Sequence, residues 1–154
     1  MRYKKLLVAL YLVSIVAYGT SFLMDSIVIV RGDHEPTVLK GYAIFLQVFI
    51  FFDYRFFLDS MTLLIFPWAW FANVAYWIGI LLFALRKDRG ALLAAEGAVL
   101  LAYPVLGMWI WGTPEERLVW GFFVWFGSMV LQAVAAKYRL YFERRKGIGL
   151  TYPA

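Results

Sequence analysis

The sequence predicts an all-α integral membrane protein with four transmembrane helices and an additional aromatic-rich interfacial or re-entrant helix between the first and second. Three observations carry that prediction. Of the 154 residues, 64% are apolar, and they fall into blocks near the roughly 20 helical residues that cross a hydrocarbon core. Short charged knots separate the blocks. Seven Trp, ten Tyr and fourteen Phe make the chain 20% aromatic, and such rings gather where lipid meets water.

The first crossing is 6–24, preceded by Arg2, Lys4 and Lys5. A secretory signal would show the same basic start and a small-x-small site at Ala17-Tyr18-Gly19, but the apolar run continues through Phe22, Leu23 and Met24, which favours an anchor. Residues 24–40 are polar enough for an outer loop with Arg31-Gly32-Asp33-His34-Glu35-Pro36 as its turn-rich centre. From Gly41 the chain is apolar again, interrupted by Asp53, Arg55 and Asp59. The uninterrupted part, 41–52, is too short to span at about 1.5 Å per residue, so 41–66 is expected to lie on or dip into the outer leaflet. The second crossing is 67–85, the third 91–111 and the fourth 118–136. Together they form a single four-helix domain over 1–146, with 147–154 as a loose cytoplasmic tail after Gly147 and Gly149.

Orientation follows from the cations. Arg2, Lys4, Lys5, Arg86, Lys87, Arg89, Lys137, Arg139, Arg144, Arg145 and Lys146 fall on one side, and only Arg31, Lys40, Arg55 and Arg117 on the other. The positive-inside rule places both termini in the cytoplasm. The net charge of +5 thus serves topology and anionic lipid rather than nucleic acid. Lys137, Arg139, Arg144, Arg145 and Lys146 are the expected lipid-headgroup contacts, with Tyr138, Tyr141 and Phe142 at the interface.

Polar groups inside the crossings are few. Glu96 lies six residues past Gly90, about 9 Å along a helix, and Gln132 five residues before Lys137, about 7.5 Å from the same boundary. Tyr11 reaches a similar depth. Since a central acidic residue costs about 2.5 to 3.5 kcal/mol on insertion scales, Glu96, Gln132 and Tyr11 are expected to form an intramembrane polar cluster. Ala94, Ala98 and Ala102 form a small-xxx-small row for helix packing, with Glu96 on roughly the opposite face. Gly121, Trp125, Ser128 and Gln132 form a second stripe in the fourth crossing. The aromatic segment, with Phe49, Phe52, Asp53, Arg55 and Asp59, is the candidate surface for docking a partner.

Motifs for chemistry are weak. The chain has no cysteine, which removes disulfides and thiolate metal sites. Asp33, His34 and Glu35 are metal-capable, yet three consecutive side chains rarely converge on one ion. The lone histidine lies in the outer loop, away from any nucleophile, and no glycine loop cradles a phosphate. No enzyme activity, metal or cofactor is expected.

Gly41-Tyr42, Trp70-Phe71-Ala72-Asn73, and Gly121 with Trp125 and Ser128 give the chain, over about residues 41–140, a pattern that resembles uncharacterised small four-helix bacterial inner-membrane proteins. In that group the Asn is often followed by Pro, where Val74 stands here. The resemblance implies the architecture and a bacterial inner membrane, and carries no known activity. The expected function is a non-enzymatic membrane interaction protein, with a protein partner or a homo-oligomer. It would be an accessory subunit of a membrane complex or a protective protein against a membrane-acting toxin. The alternative is a small oligomeric transporter or hydrophobic-ligand carrier organised around Glu96.

Overall fold

The computed structural model describes residues 2–29, 36–42, 61–111 and 116–147. Among them are four long helices: α1 (Arg2–Leu23), α2 (Met61–Ala84), α3 (Asp88–Trp111) and α4 (Trp120–Gly147). Each covers one of the four apolar blocks. Two stretches, Tyr3–Leu23 of α1 and Asp88–Leu106 of α3, are long and apolar enough to cross a membrane, and α2 carries a shorter apolar stretch, Trp70–Ala84. Helix α2 begins at Met61, so 61–66 of the expected interfacial segment belongs to it. Phe49, Phe52, Asp53, Arg55 and Asp59 lie outside the described residues, as do 31–35 and 148–154.

Helix α2 packs along α3, α3 against α4, and α4 against α1. The buried face of α3 is built from Ala91, Ala95, Ala98 and Ala102, all fully covered. This corrects the expected row in part, because Ala94 is only half-buried. A strict four-residue repeat drifts about 40° per step around a helix, whereas the 4-3-4 spacing of 91, 95, 98 and 102 follows one face. With side chains this small, neighbouring helices approach closely. Ala72, Tyr76, Ala98, Ala102, Met129 and Tyr18 form the central core.

Between α2 and α3 the chain turns within three residues. Arg86 takes a left-handed conformation, φ 58°, with its N–H donating to the Phe83 carbonyl at 3.1 Å and the Lys87 N–H to the Leu82 carbonyl at 2.8 Å. Those two bonds are a Schellman closure, which satisfies orphan carbonyls at a helix end. Glycine commonly fills the position that Arg86 occupies.

The expected outer loop begins and ends in short strands, which form a small sheet beside the four helices. β1 (Asp25–Ile29) pairs antiparallel with β2 (Thr37–Lys40) and, on its other edge, with β3 (Glu116–Leu118), giving the order β2-β1-β3. Ile27 opposes Leu39 on one side and Leu118 on the other. The run Ile27-Val28-Ile29 is β-branched and favours a pleated surface. Leu118, expected in the fourth crossing, is therefore strand, and α4 starts at Trp120. The sheet joins the α1–α2 connection to the α3–α4 connection at one end of the bundle.

Gly121 is where that sheet meets the helices. A Cβ there would lie 2.5 Å from the Asp25 carbonyl oxygen and 2.5 Å from Ser26 Oγ. Its neighbour is thus β1, not another helix. Gly121→Ala should cost about 1–3 kcal/mol, the range for overpacking, read as a lower thermal midpoint in micelles. An unchanged midpoint would refute the close approach.

Candidate functional site

The interior between α1, α2 and α4 is polar in tiers. Nearest the sheet, the Asn73 side-chain oxygen accepts two hydrogen bonds, from Tyr18 Oη at 2.7 Å and from Trp125 Nε1 at 2.8 Å. One buried amide thus joins three helices. Asn73 is 8% exposed and Tyr18 3%.

One turn further in, Ser14 Oγ donates to the Ser128 carbonyl at 2.8 Å and lies 2.8 Å from Tyr76 Oη. A serine hydroxyl has a single hydrogen. Because it goes to Ser128, Tyr76 must be the donor to Ser14. The rings of Tyr18 and Tyr76 stack with centroids 4.3 Å apart and planes 9° apart. Helices α1 and α2 are therefore bridged by long side chains, while α3 is met through alanines.

In the third tier, Gln132 Nε2 donates to the Tyr76 carbonyl at 2.9 Å. Gly79 makes room for it, since a Cβ at that position would lie 2.8 Å from Nε2. Tyr11 stacks on Phe83 with centroids 3.5 Å apart. Among the described residues, Tyr11 Oη and Gln132 Oε1 have no hydrogen-bond partner.

The far end is closed by Arg139. Its Nε pairs with Asp88 at 2.8 Å, its Nη1 donates to the Phe83 carbonyl at 2.8 Å, and its guanidinium lies 4.2 Å from the Phe83 ring centroid. Asp88 stands in the first turn of α3, where a carboxylate also complements the helix dipole. The α2–α3 turn is thereby tied to α4. This corrects one expected headgroup contact, because the carbonyl and carboxylate beside Arg139 satisfy it inside the protein. Lys137 and Arg144 are exposed, Arg145 lies over Tyr141 at 4.7 Å, and the side chain of Lys146 is outside those described.

The expected trio divides. Tyr11 and Gln132 are buried, at 4% and 0% exposure, whereas Glu96 is exposed on α3. The reason is angular: Glu96 is about 100° from Ala95 and 200° from Ala98, so the alanines that seat α3 turn the carboxylate outward. The stripe Gly121, Trp125, Ser128 and Gln132 does line the inner face of α4. Ser14, Tyr18, Tyr76 and Gly79 escaped sequence reasoning. A signal existed in α1, where Tyr11, Ser14, Tyr18 and Ser21 recur at three-to-four spacing along an otherwise apolar helix.

Chemically, the ladder joins helices. Apart from the Arg139–Asp88 pair that closes its far end, its bonds are between neutral groups and run from one helix to another. Among the described residues, no group of three His, Cys, Asp or Glu is placed to hold a metal ion. No protein-family model, curated protein or solved structure matches the chain.

Proposed function

We propose that the chain is a four-crossing protein of a bacterial inner membrane, with both termini cytoplasmic and the sheet outside, and that it is a non-enzymatic interaction protein. Its place is that of an accessory subunit of a membrane complex or of a protective protein against a membrane-acting toxin. Support for the membrane comes from the outer surface. Leu6, Val16, Leu81, Leu93 and Leu100 are all more than half exposed, and only 28% of each candidate span is buried, where the core helix of a soluble protein would be mostly covered. Residues 120–136 of α4 hold no charge. The eleven-to-four division of cations supports the orientation.

The observation that carries the interaction reading is the direction of Glu96. It is the only acidic residue within the four apolar blocks, and it faces away from the bundle while Ser14, Tyr18, Asn73, Tyr76 and Trp125 bond inside it. A group oriented this way suits contact with a neighbour better than conduction through the chain.

The absence of cysteine makes topology simple to test. In intact cells, Val38→Cys should react with a membrane-impermeant maleimide and Lys87→Cys should not. The reverse pattern would overturn the orientation. Native mass spectrometry after gentle extraction should then show a stoichiometric second protein. A homo-oligomer holding only a defined lipid or small molecule would favour the carrier reading instead, for which the unpartnered Tyr11 Oη and Gln132 Oε1 are the supporting observation.

A further inference from the structure

We propose that the outer face of α3 around Glu96 is a docking site for a transmembrane helix of a partner protein that presents a lysine or arginine at the depth of Glu96. This rests on the membrane reading above and names the chemistry of the partner.

The exposed residues of α3 among those described, Arg89, Leu93, Glu96, Leu100 and Tyr103, form one narrow stripe, with Arg89 at its charged end. Leu93, Leu100 and Tyr103 are 70%, 72% and 58% exposed, with Glu96 between them. Their spacing of three and four keeps them on one face, opposite the buried alanines. Three apolar side chains suit lipid equally well. A carboxylate does not, and intramembrane acidic groups normally pair with a partner or a wet cavity. Among the described residues, Glu96 has no ion pair or hydrogen bond.

Gly97 adds an independent observation. It lies beside the stripe, and a Cβ built there would meet nothing within 4 Å. A glycine inside a helix gives up stability relative to alanine, and nothing among the described residues uses the space it leaves. Another helix can approach the α3 backbone closely at that point.

Charge decides the occupant. All fifteen Lys and Arg lie outside the four apolar blocks, so none of the four blocks of a second copy brings a cation to the depth of Glu96. A foreign helix with a basic residue at that depth does. Lysine and arginine side chains are long enough to reach a carboxylate while their stems stay in the apolar stripe.

The test uses the full chain in phosphatidylcholine vesicles and a synthetic polyleucine helix of about 20 residues, carrying one lysine about 9 Å from one end of its apolar run. Association is read by energy transfer. The lysine helix should bind at least tenfold more tightly than the all-leucine helix, and Glu96→Gln should abolish that difference. Gly97→Val should weaken binding with helicity unchanged, and Glu96→Lys should transfer the preference to a helix carrying glutamate. Equal binding of lysine and leucine helices, or a preference that survives in Glu96→Gln, would overturn the proposal. So would self-association of the chain that depends on Glu96, which would assign the face to a second copy. Alkaline carbonate extraction separates the two levels: release of the protein from the vesicles overturns the membrane reading and docking together, whereas retention without lysine preference overturns docking alone.

Discussion

Asn73→Leu should destabilise the purified protein by about 2–6 kcal/mol, the sum of two buried donors left without an acceptor at about 1–3 kcal/mol each. Leucine keeps the branching and heavy-atom count of asparagine but is larger, so some overpacking adds to the loss. What changes is that Tyr18 Oη and Trp125 Nε1, both bonded to the Asn73 oxygen, keep their hydrogens with nowhere to place them. The smaller values measured for hydrogen bonds between membrane helices, about 0.6 kcal/mol on average, favour the low end of that range. Tyr18→Phe should cost less, since it removes one donor and leaves Trp125 bonded. Thermal unfolding in micelles, followed by tryptophan fluorescence and circular dichroism, checks both. Equal midpoints for Asn73→Leu and the parent protein would show that the amide does not join the three helices.

Arg139→Ala should cost about 2–3 kcal/mol. Three contacts disappear together: the ion pair with Asp88, the bond to the Phe83 carbonyl and the position over the Phe83 ring. Truncating one partner of a fully buried pair costs about 3–5 kcal/mol. The side chains of Arg139 and Asp88 are 16% and 19% exposed, and solvent screening lowers the figure. Arg139→Lys should recover only part of the loss, because a lysine has no planar fork to serve the carboxylate and the carbonyl at once. Limited proteolysis offers a local readout. The α2–α3 turn should become cleavable in Arg139→Ala before the bundle melts, and a turn as resistant as in the parent would refute the clamp.

Much of this architecture could be read from the residues. The four helices were legible because long apolar blocks between cationic knots have few other solutions. The inner face of α4 was legible for a related reason: Gly121, Trp125, Ser128 and Gln132 repeat at helical spacing, and all except Trp125 are fully buried. Glu96 was harder. An acid inside an apolar block stands out in the sequence, but the block does not say which way the side chain faces, and only the packing of Ala91, Ala95, Ala98 and Ala102 fixes that. Arg139 misled because a cation just past an apolar block resembles any other headgroup contact. Its true partners, a carbonyl from α2 and a carboxylate from α3, are more than fifty residues away in sequence. The sheet was least legible, since β3 is three residues long and is a strand only because β1 offers it an edge.

That distant pairing has a consequence for biosynthesis. β1 emerges directly after α1, and β2 follows it closely, but β3 is made almost ninety residues after β1. Until then one side of β1 is an open edge. The acceptor for Ser14 and the indole donor for Asn73 are also on α4, so the nascent chain carries both incomplete surfaces until its last helix arrives. Closing such long-range contacts is slow compared with forming a helix. Both surfaces therefore close only when β3 and α4 arrive, and a chain lacking residues 116–147 would be left with an open strand edge and unmatched hydroxyls.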